Sequence, residues 1–482
     1  MSTAGGASGG SQAAGATAGV AASAAGGDGE VSGEGGVAAG RGGGPGAGGS
    51  QPEDGGAAGS APHKGWSVPT LIEDFNGGNT AAPRVAVNAM GVAVATWSEQ
   101  EQDQVTYNLR SNRYDPLSKR WGSPQSLIVL GTPAGSWIPS SVAVDVTGNV
   151  AAVWQQQTGA IRANCYDATS SSWGVDQPIA AEGTYDASAP GVAMDAAGNA
   201  VAVWRAFGDL RYNIYASRYD AQSKAWDAAR LLETASAGFA SFPSVAVNAA
   251  GNAVAVWDQY DGSHENIYAN RYDAQSKTWS GAGLIENDST GEAYTPLVGV
   301  DAPGNSLAVW TLSIASVRTI FANRYDAGSA SWGTPVQLDA SSADGVGLAV
   351  NASGAAVAIG WSRTATGSRL WANRYAGPAN GWSTSQIVRD SPAATLLAPA
   401  VAIDASGNAV AVWAQTEGQM TTLWASWYDT QSGSWGDASP IGNNTRYSVS
   451  IPQVAIDGSG NAVAVWTQSD GKLDSVWSSR FE

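Results

Sequence analysis

Short apolar runs and polar turns alternate along most of the chain in one recurring phrase, seen most cleanly as Val245-Ala246-Val247-Asn248-Ala249-Ala250-Gly251-Asn252-Ala253-Val254-Ala255-Val256-Trp257. Near-continuous apolar runs on both sides of a turn are the pattern of two strands covered on both faces. Inside the turn an Asx residue stands three before a glycine: Asn88 and Gly91, Asp145 and Gly148, Asp195 and Gly198, Asn248 and Gly251, then on through Asp301, Asn351, Asp404 and Asp457. An Asx side chain closes a turn on its own backbone and glycine takes the left-handed position, so a bulged hairpin should link strand A to strand B. Eight cation loops would need more clustered carboxylates than one Asx per turn supplies. Strands C and D follow, as in Ile267-Tyr268-Ala269-Asn270-Arg271-Tyr272-Asp273 and the run from Trp279 to Leu284-Ile285. A tyrosine precedes a tryptophan by seven positions in each internal copy, from Tyr114 and Trp121 to Tyr428 and Trp435, so a turn of fixed length joins C to D.

The phrase ends in Trp97, Trp154, Trp204, Trp257, Trp310, Trp361, Trp413 and Trp466, at spacings of 57, 50, 53, 53, 51, 52 and 53 residues. That period is too long for one hairpin and suits a four-stranded blade. The expected fold is all-β: an eight-bladed β-propeller of four-stranded antiparallel blades spanning residues 65–482. Val and Ala on strands A and B suit the crowded axis, and Tyr, Arg and Trp on C and D suit the wide rim. The eight tryptophans are expected to pack between blades. Residues Gly65 to Ile72 read as a lone strand D and Val476 to Glu482 as a strand C without its partner. Pairing the N-terminal strand onto the last blade would close the ring and remove an open edge. The hairpin spacing in Tyr114-Asp115-Pro116-Leu117-Ser118-Lys119-Arg120-Trp121 resembles the third-to-fourth strand hairpin of kelch-type propellers. That resemblance implies propeller architecture and nothing catalytic.

Residues 1–64 are Gly, Ala and Ser with almost no large apolar side chain, too little to offset the entropy of ordering, and read as a disordered leader or tether. Its composition resembles the leaders of bacterial surface lipoproteins, without their lipidated cysteine or a signal peptide. The formal net charge of -17 disfavours phosphate backbones and anionic lipid surfaces, so no nucleic-acid partner is expected. Every Val/Ala run is broken within about eight residues, so no membrane span is expected. Cys165, the one cysteine, cannot form an intramolecular disulfide.

Alternating strand directions place the A-to-B and C-to-D turns on one face, and the B-to-C and blade-to-blade loops on the other. The first face is uniform in sequence and the second varied, and varied loops are where binding residues accumulate. Aromatics stand shortly before the next strand A at Phe75, Trp137, Tyr185, Phe239, Phe242, Tyr294 and Tyr447. Rings around a mouth with Asp, Asn and Thr nearby point to a carbohydrate platform; the alternative is that they plug the seams between blades. The B-to-C loops add acids, among them Glu99, Glu101, Asp103, Asp258, Asp261, Glu265, Glu417 and Asp470. With only His63 and His264, neither a metal site nor Ser-His-acid catalysis is indicated, and no cofactor is called for. The arginines that recur on strand C, such as Arg113, Arg271 and Arg374, point to packing or rim ion pairs. The expected role is a non-enzymatic binding module at the cell exterior, monomeric, with polysaccharide or a surface protein as partner. The alternatives are a glycan-active enzyme using loop carboxylates and a rigid protein-interaction scaffold.

Overall fold

The computed structural model describes residues 64–74, 78–101, 106–128, 132–133, 138–156, 159–180, 183–233, 238–287, 291–339, 343, 345–442, 449 and 452–482. All of the predicted leader except Lys64 therefore lies outside the described residues. Eight antiparallel sheets form the eight blades of a propeller. In blade four strand A is Ala240–Val247, B is Ala253–Tyr260 and C is Glu265–Asp273, with D in two pieces, Thr278–Trp279 and Gly283–Leu284. Blade eight takes Gln453–Ile456, Ala462–Ser469 and Asp474–Phe481 from the C-terminus and Thr70–Leu71 from the N-terminus. Thr70 pairs with Ser478 and Leu71 with Trp477, and Trp66 bridges Phe481 with ring centroids 5.5 Å apart. The ring is closed by its N-terminal strand, and Trp66 supplies the aromatic pair that the other blades make from Tyr and Trp, as between Tyr272 and Trp279 at 5.5 Å.

Burial on both faces explains the apolar runs. Trp257 is fully buried and packs against Val201, Val203, Ile214 and Leu232 of blade three. Blade six departs from the expectation. Strand register sets Gly360 opposite Trp371 and Trp361 opposite Leu370, so Gly360 stands where other blades place the tryptophan. A side chain at Gly360 would collide with the Trp371 ring, which fills the vacated space from strand C and is buried, while Trp361 is only partly buried. The spacing carried the signal: the tryptophan comes six residues after the turn glycine in Gly251 and Trp257, but seven after it in Gly354 and Trp361.

The turn face repeats one circuit. Asp195 Oδ1 accepts the amides of Ala197 and Asn199 at 2.9 and 2.8 Å, and its Oδ2 accepts Asn199 Nδ2 at 2.7 Å. Asn199 Oδ1 in turn accepts the Ala221 amide at 3.1 Å, tying the A-to-B turn to the C-to-D turn. Gly251 has φ of 86°, and a Cβ there would come within 2.9 Å of Asp195 Oδ2 in the preceding blade, so both backbone and neighbour require glycine. At the rim the Arg271 guanidinium lies 3.8 Å from the Tyr325 ring of the next blade and donates to Gly304 O at 2.8 Å. Arg113, Arg374 and Arg480 lie over the next tyrosine in the same way, as inter-blade staples, while Arg218 and Arg324 pair with Asp220 and Asp326 of their own blade. Where strand D breaks, Asn323 Nδ2 donates to Ile285 O at 2.8 Å and Gly333 O at 3.0 Å, joining adjacent blades through the gap. Asn112 does the same with Ile72 O at 2.8 Å across the closing seam.

Candidate functional site

Strand A enters from the varied face through a bulge. Register shifts fall between Ala81 and Arg84, Ser241 and Ser244, and Tyr294 and Leu297. In blades one, three, four and five the residue before the proline takes positive φ: Ala82 at 52°, Ala189 at 52°, Phe242 at 46° and Thr295 at 52°. Bulges of this kind re-aim side chains at the ends of sheets. Positive φ is costly for β-branched Thr295 and bulky Phe242 alike, and Phe242 is also exposed.

A file of rings runs along the loop face of blades three and four. Tyr185 lies 5.0 Å from Phe207, Phe207 5.3 Å from Tyr212, and Tyr212 6.2 Å from Phe239, measured between centroids. Tyr185 is 59% exposed and Phe239 52%, too open for rings that plug a seam. Of the rings singled out in the sequence, these two share one cluster. Tyr294 is half-buried in the next blade, and Phe75, Trp137 and Tyr447 lie outside the described residues. Phe207 and Tyr212 were missed because they sit at the strand ends flanking a B-to-C turn rather than before strand A.

Polar groups line the file. The Arg205 guanidinium stacks 4.5 Å from the Tyr212 ring, with Nε donating to Ser188 Oγ at 3.0 Å and Nη1 to Ser241 Oγ at 3.2 Å. The Tyr212 hydroxyl donates to Asp186, which raises the phenol pKa. At the seam of blades four and five, Asp258 is 4% exposed and accepts the Thr295 amide at 3.2 Å. Burial holds its carboxyl well above the usual range, and Glu265 nearby adds to the shift. Glu265 is itself raised by burial and then by Glu292, which accepts the Glu265 amide at 2.8 Å. Other loop acids are tied up: Arg110 reaches Glu99 at 3.5 Å and Glu101 at 2.9 Å. Burial pushes the Cys165 thiol up to about 12, leaving it un-ionised. Among the described residues no group of three or more His, Cys, Asp or Glu could hold a metal ion, and no hydrogen bond joins the His264 ring to a hydroxyl or carboxylate.

No family model matches the chain, and no curated protein matches it. Among solved structures the chain is similar, at 9% identity and a TM-score of 0.50, to an ulvan lyase from a polysaccharide lyase family, bound to -[GlcA(1-4)Rha3S]-, over 73% of this chain and 94% of that one. It is similar at 10% identity to a protein of unknown function from Dyadobacter fermentans, with a TM-score of 0.42 over 88% of this chain and 100% of that one. It is also similar to a mutant NanB sialidase from Streptococcus pneumoniae, at 10% identity and a TM-score of 0.38, over 86% and 70% of the two chains. The class is thus an eight-bladed repeat propeller with no family assigned. Its fold is shared at low identity with glycan-active enzymes.

Proposed function

We propose that the varied face around blades three and four engages a glycan. The observation that carries this reading is the file of rings from Tyr185 through Phe207 and Tyr212 to Phe239, open at both ends, with exposed Phe242 following Phe239 in the chain. Apolar sugar faces stack on such rings, and Asp186, Ser188 and Ser241 supply groups for hydroxyls. The ulvan lyase, which shares the fold, supports a saccharide over a protein partner. Placement at the cell exterior belongs to the same proposal. Lys64 Nζ donates to Ser459 O at 2.8 Å in the A-to-B turn of blade eight, so the leader joins on the turn face, and a tether there would present the rings outward.

A second reading, cleavage of the bound glycan, draws on the same lyase and on the carboxyls of Asp258, Glu265 and Glu292. Burial raises the Asp258 carboxyl well above its usual range, the direction that suits a proton donor. A glycan array read with wild type and Tyr185→Ala/Phe239→Ala tests the first reading; equal signals from both proteins would overturn it. Incubating the captured glycan while following reducing ends and the ultraviolet absorbance of unsaturated uronates tests the second. Product formation that is lost in Asp258→Asn supports cleavage, and absence of product leaves a binding module.

A further inference from the structure

The position after the strand B tryptophan reaches toward the next blade, and in sequence it holds Ser98, Gln155, Arg205, Asp258, Thr311, Ala414 and Thr467 in blades one to five, seven and eight. Its contacts bear this out: Ser98 Oγ accepts the Ile138 amide at 3.1 Å, and Asp258 accepts the Thr295 amide. Only blade three puts a cation there. Arg205 sits between the Ser188 and Ser241 hydroxyls with its plane against Tyr212, so its guanidinium is held by neutral groups. Several arginines of this acidic protein pair with carboxylates instead, while Arg271, which lies like Arg205 against a tyrosine and a serine hydroxyl, also gives its Nη2 to Gly304 O. Arg110, Arg162, Arg218, Arg324, Arg369 and Arg480 each lie within salt-bridge distance of a carboxylate. For Arg205 no carboxylate lies within 4.0 Å among the described residues, and Nη2 has no partner among them.

An arginine half-buried, fixed by two hydroxyls and a ring, and left without a carboxylate partner is pre-organised for a planar or tetrahedral oxyanion, which a guanidinium grips through paired N–H groups. The neighbouring Asp258 lies beyond salt-bridge distance, and burial raises its carboxyl well above the usual range, so it is a weak counter-charge. We infer that the glycan proposed for this face is acidic, and that a carboxylate or sulfate of one sugar residue seats on Arg205 while adjoining rings stack on Tyr185 and Phe239. This rests on the glycan reading and names the chemistry of its ligand.

The test uses isothermal titration of the full chain with a uronate oligosaccharide, its carboxyl-reduced counterpart, a sulfated oligosaccharide and its desulfated counterpart. Wild type should bind at least one charged member roughly tenfold to a hundredfold tighter than its neutral twin, with affinity that falls as salt rises. Preference confined to the uronate identifies a carboxylate, and preference confined to the sulfated sugar identifies a sulfate. Arg205→Gln should erase the difference between the twins, and Arg205→Lys should recover part of it, with melting curves of both variants confirming the fold. Equal binding of charged and neutral twins by wild type, or a preference that survives Arg205→Gln, overturns the inference and leaves the glycan reading standing. Failure to bind any member overturns both.

Discussion

The turn face and the loop face are made by the same eight repeats and differ in what each repeat does with its polar groups. On the turn face, Asp195, Asn199 and their counterparts Asp404 and Asn408 spend their side chains on their own turn and the next one, and Gly251 lies against the carboxylate of the blade before. Arg271 and Arg374 close the rim over the next tyrosine, at 3.8 and 4.0 Å. On the loop face of blades three and four, Tyr185, Phe239 and Phe242 are open to solvent, and Arg205 Nη2 has no partner among the described residues. Repetition marks groups consumed by folding, and departures from it mark groups free to meet a ligand. The contrast also separates blade six from the others, where a shifted tryptophan is still a folding matter.

The hardest blow to the turn face is loss of closure. Deleting residues 65–73 should abolish the cooperative melt, because it removes strand D of blade eight together with Trp66 and the Asn112 to Ile72 bond; a melt equal to wild type would break the closure account. Next, Trp257→Ala and Trp371→Ala should each cost about 3 to 5 kcal/mol in denaturant titration, against about 1 kcal/mol for Trp361→Ala. The reverse order for the blade six pair would restore Trp361 as the core residue.

A pH series then sharpens the comparison. Burial raises Glu233, with both carboxyl oxygens buried, and Glu73, beside Glu99, to about 7 from 4.5. Each binds its proton more tightly folded than unfolded, so its contribution is whole below about pH 4.5 and is lost as pH rises to about 7. The propeller should therefore be less stable at pH 8 than at pH 5, and Glu233→Gln should remove about 2 to 3 kcal/mol of that slope. A flat profile would contradict it. Gly251→Ala should cost about 1 to 3 kcal/mol from positive φ and the Asp195 contact, read by thermal melt. The smallest effect belongs to the loop face: Tyr185→Ala and Phe239→Ala should each change stability by less than about 0.5 kcal/mol while removing glycan binding. Unfolding as severe as that of Trp257→Ala would make these rings seam packing.

By itself the sequence determined the number of blades, the order of strands, the A-to-B and C-to-D turns and the closing strand. Each is written locally and repeated, so a period of apolar runs, an Asx three before a glycine, or a tyrosine seven before a tryptophan is enough to read it. The strand B residue of blade six that faces the core is written only in the one-residue-longer count from Gly354 to Trp361, and pairing with Trp371 on strand C decided it. Register turns on a single position, and a tryptophan stands on either side of it, at Trp361 on strand B and Trp371 on strand C. Only the tertiary structure decided the site. Tyr185 and Phe239 were visible as rings in varied loops, but Phe207, Tyr212 and Arg205 come from strand ends of ordinary appearance. Whether an arginine meets a carboxylate or stands alone depends on the neighbouring blade, and the residues of adjacent blades that meet there, Arg205 and Ser241, are 36 positions apart in the chain.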